Sequence, residues 1–205
     1  MKFMVFKNDV SFKYKYRLMT TRVTNDTFYE LQRYKMNNNC QNKCIINIPI
    51  KLRYTNVSIS YPLIVLEMNN SINEFVGMGF ILNITSGAYY SHDIYNNKNY
   101  NRHTYKSRFY VSLEKNHEDY IKFILPNKDY VSTLNKLQEV CFFGKGHLKR
   151  GSSLTAVPMK HLSKDTNKHL MQIFLEKYNH ETKFLLNLTT IKELSEETIK
   201  KILDL

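Results

Sequence analysis

The stretch Tyr61-Pro-Leu-Ile-Val-Leu-Glu-Met-Asn-Asn-Ser-Ile-Asn-Glu-Phe-Val-Gly-Met-Gly-Phe-Ile-Leu82 divides into an apolar run, a turn-rich segment and a second apolar run. Two runs of strand length around Asn69–Asn73 predict a β-hairpin. In its second strand, Gly77 and Gly79 remove two side chains from one face. Such glycines leave either a bend at a barrel corner or room for a ligand, and the barrel corner is the preferred reading.

Working outward, Thr24 or Asn25 can cap a short helix reaching about Tyr34, with Phe28, Leu31 and Tyr34 inward. Cys44 to Leu52 reads as a strand in which Pro49 marks an edge or a bulge. Upstream, Phe12 to Arg17 alternates aromatic with basic residues, as an edge strand or a base-stacking strand would. Downstream, Phe109–Leu113 predicts a strand, Pro126 ends the segment from Glu118, and Ser132–Glu139 predicts a short helix. Val140 to Phe143 then reads as a short buried strand. Ser163 can cap a helix over 164–178, with Leu170, Met171, Phe174, Leu175 and Tyr178 as its inner stripe. Phe184–Leu188 is a possible last strand, and Thr190 with Glu193 forms a capping box for a helix over 190–203. No repeat and no Pro- or Ser-rich linker interrupts the 205 residues. A single α+β domain over 1–205 is expected, built as a small β-barrel of about six to eight strands with flanking helices.

The global signal is charge. A formal net charge of +12 favours a polyanionic partner, nucleic acid above all, although an AT-rich genome could supply part of it. No apolar run approaches the roughly 20 residues of a membrane span, so no membrane partner is expected. Lys7 and Asp9 break any signal-peptide core after six residues, so the expected location is intracellular and not secreted. Three cysteines are a poor basis for a disulfide framework. Cys40 and Cys44 could begin a zinc site, but no second pair follows, so neither metal nor cofactor is expected.

Two segments concentrate candidate chemistry. Gly144-Lys-Gly-His-Leu-Lys-Arg-Gly151 opens a basic loop over 144–155 holding three of the chain's six glycines. Backbone amides freed by glycine, the side chains of Lys145, His147, Lys149 and Arg150, and the hydroxyl of Ser152 suit a phosphodiester backbone. The second is a Tyr- and Asn-rich basic stretch over about 88–108, expected to be an exposed loop. Its Tyr100, Arg102 and Tyr105 offer the stacking and edge-reading that single-stranded RNA requires. The plainer alternatives are a solvated turn for the first and a low-complexity insertion for the second.

Catalysis has weaker support. The acidic residues are scattered, and the phosphate-loop pattern fails because Ser152 stands where Lys is needed after Gly151. Cys141 with His147 as base would be a conceivable nucleophile, but its apolar neighbours point to an inert thiol.

The 61–82 hairpin, Asn99-Tyr-Asn-Arg102 and Phe143-Gly-Lys-Gly-His-Leu-Lys-Arg-Gly151 together resemble an uncharacterised family of large DNA viruses. Those proteins are similar in turn to PUA-like barrels, which include the EVE, ASCH and YTH domains. The resemblance implies RNA or modified-base binding in a pocket on a small barrel. The chain has no tryptophan, which removes the tryptophan-walled cage of YTH domains. The Gly-x-Lys-x-x-Glu-x-Arg pattern of ASCH proteins is missing as well. The function expected is therefore nucleic-acid binding, with RNA favoured over DNA. The alternatives are an enzyme acting on nucleic acid or a modified nucleotide, with His147 and also His92 or Asp93 as acid/base groups, and a virion or replication-complex structural protein.

Overall fold

The computed structural model describes residues 16–52, 62–150, 154–158, 160 and 162–178. The stretch 1–15, Ser152, the 184–188 strand and the 190–203 helix lie outside the described residues.

The central hairpin forms as its pattern demands. β3 (Leu63–Asn69) and β4 (Glu74–Ile81) pair antiparallel, with a bulge between Glu67 and Met68. The turn closes because Asn69 Oδ1 accepts the Ser71 amide at 3.0 Å and Asn73 takes φ +57°, a conformation asparagine tolerates. Every residue of β3 is buried, because its sheet is covered on both faces. Ile64, Leu66 and Met68 join one core cluster, and Leu63 and Val65 join another.

β1 (Arg17–Val23) lies parallel to β3, in register from Arg17↔Leu63 to Val23↔Asn69. A parallel pair needs a crossover, and it begins with α1 (Asn25–Asn37). Thr24 caps α1 reciprocally with Thr27, each threonine oxygen taking the other's amide. β2 (Cys44–Ile48) pairs antiparallel with β5 (His103–Ser107) in a separate two-stranded sheet. β6 (Tyr110–Ser112) and the short β7 (Thr155–Ala156) complete a five-stranded sheet of order β6-β4-β3-β1-β7. The architecture is thus mixed α+β, as expected, but the sheets do not close into a barrel.

Two helices cover one face of the large sheet, α2 (Lys128–Phe142) and α3 (Lys164–Tyr178). Leu170, Met171, Ile173 and Phe174 of α3 are fully buried, a gross stabilisation on the order of 10 kcal/mol. Lys177 anchors its end through Asp119 at 2.6 Å and the Tyr110 carbonyl at 2.8 Å. β2 and β5 cover the opposite face.

Three readings are corrected. Val140–Phe143 is no strand: Val140, Cys141 and Phe142 form the last turn of α2, which starts earlier than expected, at Lys128. Residues 103–107 are a strand, where the sequence suggested the end of an exposed loop. Gly77 and Gly79 mark no barrel corner. A Cβ at Gly77 would overlap the Glu67 carboxylate and the Tyr110 hydroxyl, and one at Gly79 would overlap Cys44 Sγ. Glycine is required there so that neighbouring side chains can cross the face of β4.

Candidate nucleic-acid interface

The Tyr- and Asn-rich segment is ordered around one side chain. Asn101 is 1% exposed. Its Oδ1 accepts from the amides of Ile94 (3.3 Å) and Tyr95 (3.0 Å) and from Asn47 Nδ2 (3.2 Å). Its Nδ2 donates to Asp93 Oδ1 (2.9 Å) and the Tyr95 carbonyl (2.7 Å). A buried amide with both ends satisfied fixes a loop that has no apolar period of its own. Sequence reasoning did not single out Asn101, although it sits inside the Asn99–Arg102 motif.

The aromatics of this segment differ in exposure. Tyr89 and Tyr90 are 55% and 44% exposed, their ring centroids 4.5 Å apart. Tyr89 also meets the His103 ring edge-on at 5.1 Å. Arg102 donates to the Tyr90 hydroxyl (3.2 Å) and to Asn99 Oδ1 (2.7 Å), which holds its planar cation beside the tyrosine pair. Burial, then Lys51 and Arg102, lowers the His103 pKa, so that ring is neutral near pH 7. Tyr100 is half-buried and packs edge-on against Tyr95 at 6.1 Å. Tyr105 is wholly buried and receives the Leu52 amide at 3.3 Å, so it has no exposed ring with which to stack a base. Tyr89 and Tyr90 offer the exposed faces expected of Tyr100 and Tyr105.

The Gly-rich loop leaves α2 at Gly144, whose φ of +79° ends the helix in the left-handed conformation. Lys145 and Arg150 are exposed, and His147 and Lys149 are half-buried. The loop folds back on itself: the Leu148 amide donates to the Cys141 carbonyl at 2.7 Å, and the Lys149 amide to His147 Nδ1 at 3.3 Å. Lys149 Nζ lies 5.8 Å from the centroid of the exposed Phe143 ring. Two side chains from the strand ends then grip its backbone. Arg22 Nε donates to the Leu148 carbonyl, and Asn70 Nδ2 to the Lys149 carbonyl at 3.1 Å. Cys141 is buried, and burial pushes its thiol up to about 12, so it is no nucleophile near pH 7.

A pocket lies between the residues that hold the Gly-rich loop and the Asn101-stapled loop. About 180 Å³ in volume, it opens at the carboxyl ends of β1 and β3 beside the start of α1, and its lining includes Arg22, Asn70, Tyr95, Tyr100 and Asn47. Arg22 and Asn70 also hold the Gly-rich loop, and Tyr95 and Tyr100 come from the Asn101-stapled loop. His147 is not among the lining residues. Asn47 is 5% exposed, and its Oδ1, like that of Asn70, is buried without a hydrogen-bond partner. Among the described residues no carboxylate lines the pocket. Among the described residues no three His, Cys, Asp or Glu side chains cluster to hold a metal, and no helix is long and apolar enough to cross a membrane. No family model matches the chain, and neither a curated protein nor a solved structure matches it.

Proposed function

We propose that this chain binds nucleic acid, single-stranded RNA in preference to DNA, across the surface that joins the Gly-rich loop to the Tyr89–Arg102 loop. The observation that carries this reading is one pocket lined by Arg22 and Asn70, which hold the Gly-rich loop's backbone, and by Tyr95 and Tyr100 of the other loop. Lys145, Lys149 and Arg150 supply backbone-neutralising charge. Tyr89 and Tyr90, braced by Arg102, supply sequence-tolerant stacking. The net charge of +12 adds a long-range field favouring a polyanion. An enzymatic role with His147 has less support, since its Nδ1 is taken by the Lys149 amide and, among the described residues, no carboxylate is bonded to the ring.

Equilibrium binding of a single-stranded RNA across a salt series tests the proposal. Replacing Lys149 and Arg150 by Glu should weaken binding at every salt concentration. If two phosphate contacts are lost, the slope of log K against log salt should fall by about 1.4, at roughly 0.7 per contact for single strands. Unchanged affinity in that variant would refute the Gly-rich loop as a contact.

A further inference from the structure

Two asparagines that line the pocket at the ends of β1 and β3 fix the hydrogen-bonding groups it presents. Asn47 stands on the face of β2 that also carries Ile45, and that face meets Tyr95. Its Nδ2 donates to the His92 carbonyl at 3.1 Å and to Asn101 Oδ1 at 3.2 Å. A backbone carbonyl only accepts, so the Asn47 amide cannot be turned end for end. Asn70 is fixed in the same way, because its Nδ2 donates to the Lys149 carbonyl at 3.1 Å. Each amide thus has its donor end tied to one of the two loops, and its oxygen turns away from that loop. Asn47 is 5% exposed, and both oxygens are buried without a hydrogen-bond partner among the described residues. An unmet buried acceptor is costly, and a donor on a ligand relieves it.

The rest of the lining suits a neutral, planar ring. Tyr95 and Tyr100, edge-on to each other at 6.1 Å, bring two aromatic rings to the pocket, the kind of wall on which an unstacked base packs. Burial raises the Tyr95 pKa, so its hydroxyl keeps its proton near pH 7, and Thr21 adds a second hydroxyl. Arg22 already holds the Leu148 carbonyl and the Thr155 hydroxyl, and among the described residues no carboxylate lines the pocket. Size and donor count then narrow the ring. The volume of about 180 Å³ is close to the ~150 Å³ that encloses one benzene molecule, and so suits a single six-membered ring with its substituents better than a fused pair. Two acceptors call for two N–H bonds, and the amino group of cytosine supplies both from one nitrogen. Uracil carries a carbonyl oxygen at that position, which would set oxygen against oxygen. The remaining edge of cytosine, N3 and O2, accepts hydrogen bonds, as the Tyr95 and Thr21 hydroxyls require.

We propose that this pocket binds a cytosine base, borne either by an unpaired residue of a single strand or by a free cytidine nucleotide. In its first form this rests on the nucleic-acid function above and names the base that the pocket takes from the strand. In its second form it does not.

The test measures equilibrium binding to the full chain of cytidine, uridine and adenosine monophosphates and of two RNA hexamers, all-cytosine and all-uracil. NMR of the Asn47 and Asn70 side-chain amides reports on the pocket. The cytosine probes should shift both amides and bind more tightly than their uracil counterparts by about tenfold or more. Asn47→Leu removes one acceptor and should bring the cytosine-to-uracil ratio toward one. If that variant fails to fold, Asn70→Leu gives the same reading from the other oxygen. Equal affinity for cytosine and uracil probes, adenosine monophosphate bound as tightly as cytidine monophosphate, or a ratio unchanged in the variant that folds overturns the proposal. A cytosine preference in the hexamers assigns the base to a strand. Cytidine monophosphate preferred over uridine monophosphate in a chain that binds neither hexamer assigns a free nucleotide, keeps the pocket and refutes the nucleic-acid reading. Both hexamers bound alike, with the two amides unmoved by every probe, removes the cytosine pocket and leaves the nucleic-acid reading intact.

Discussion

Lys35 is wholly buried, its Nζ 3.8 Å from the centre of the Tyr110 ring and without a hydrogen-bond partner. Below that ring, the Tyr110 hydroxyl donates to Glu67 Oε2 at 3.0 Å, and Glu67 is 1% exposed. Burial raises the Glu67 pKa above its ordinary value of 4.5, against the pull of Lys35 and the Tyr110 hydrogen bond. A carboxylic acid with a raised folded-state pKa binds more protons folded than unfolded, so its contribution to stability falls as pH rises past the unfolded value. Lys35→Met should therefore destabilise by at most about 3 kcal/mol at pH 7, where Glu67 loses a neighbouring cation and must take up a proton or stay charged, and by much less near pH 4. Adding Glu67→Gln should recover most of that loss, as urea unfolding of both variants across this pH range would read out. Gly79→Ala belongs to the same scale. Its methyl would overlap Cys44 Sγ, so the change should destabilise by about 1–3 kcal/mol, and adding Cys44→Ala should restore part of it. None of this was legible in the sequence, where Lys35 lies on a helix of charged residues and the glycines resemble a bend.

At the scale of elements, the structure bears out the readings in which one local signal dominates. The 61–82 hairpin follows from two apolar runs and an asparagine turn, and α1 and α3 from their caps and inner stripes. The failures have physical causes. Val140–Phe143 is apolar and rich in strand formers, but four such residues also fit the buried end of a helix, and period alone cannot separate the two. β5 buries Thr104, Tyr105 and Ser107, so its inward residues are polar or amphipathic and its two-residue period is hidden. The loop before it is held by Asn101, whose role is visible only once Asn47, 54 residues upstream, is beside it. Asn101→Ala should strip partners from two buried amides and cost about 2–3 kcal/mol. Hydrogen exchange should then accelerate at Ile94 and Tyr95 while α3 stays protected.

At the scale of the molecule, the decisive contact is the parallel pairing of β1 with β3, more than forty residues apart, and no local pattern announces it. That pairing turns an expected barrel into an open sheet with a crevice at its strand ends. It also sets Arg22, at the end of β1, and Asn70, just beyond β3, which hold the Gly-rich loop, in one pocket with Tyr95 and Tyr100 of the other loop. The candidate residues were therefore partly legible as types, basic and aromatic in two segments, while their juxtaposition was not. In the function proposed above, these two loops form one nucleic-acid surface. Photocrosslinking a single-stranded RNA carrying 4-thiouridine, followed by peptide mapping, tests it most directly. The account predicts crosslinks in both Tyr89–Arg102 and Lys145–Arg150. Crosslinks confined to one loop, or falling instead on the α2 and α3 face, would contradict it.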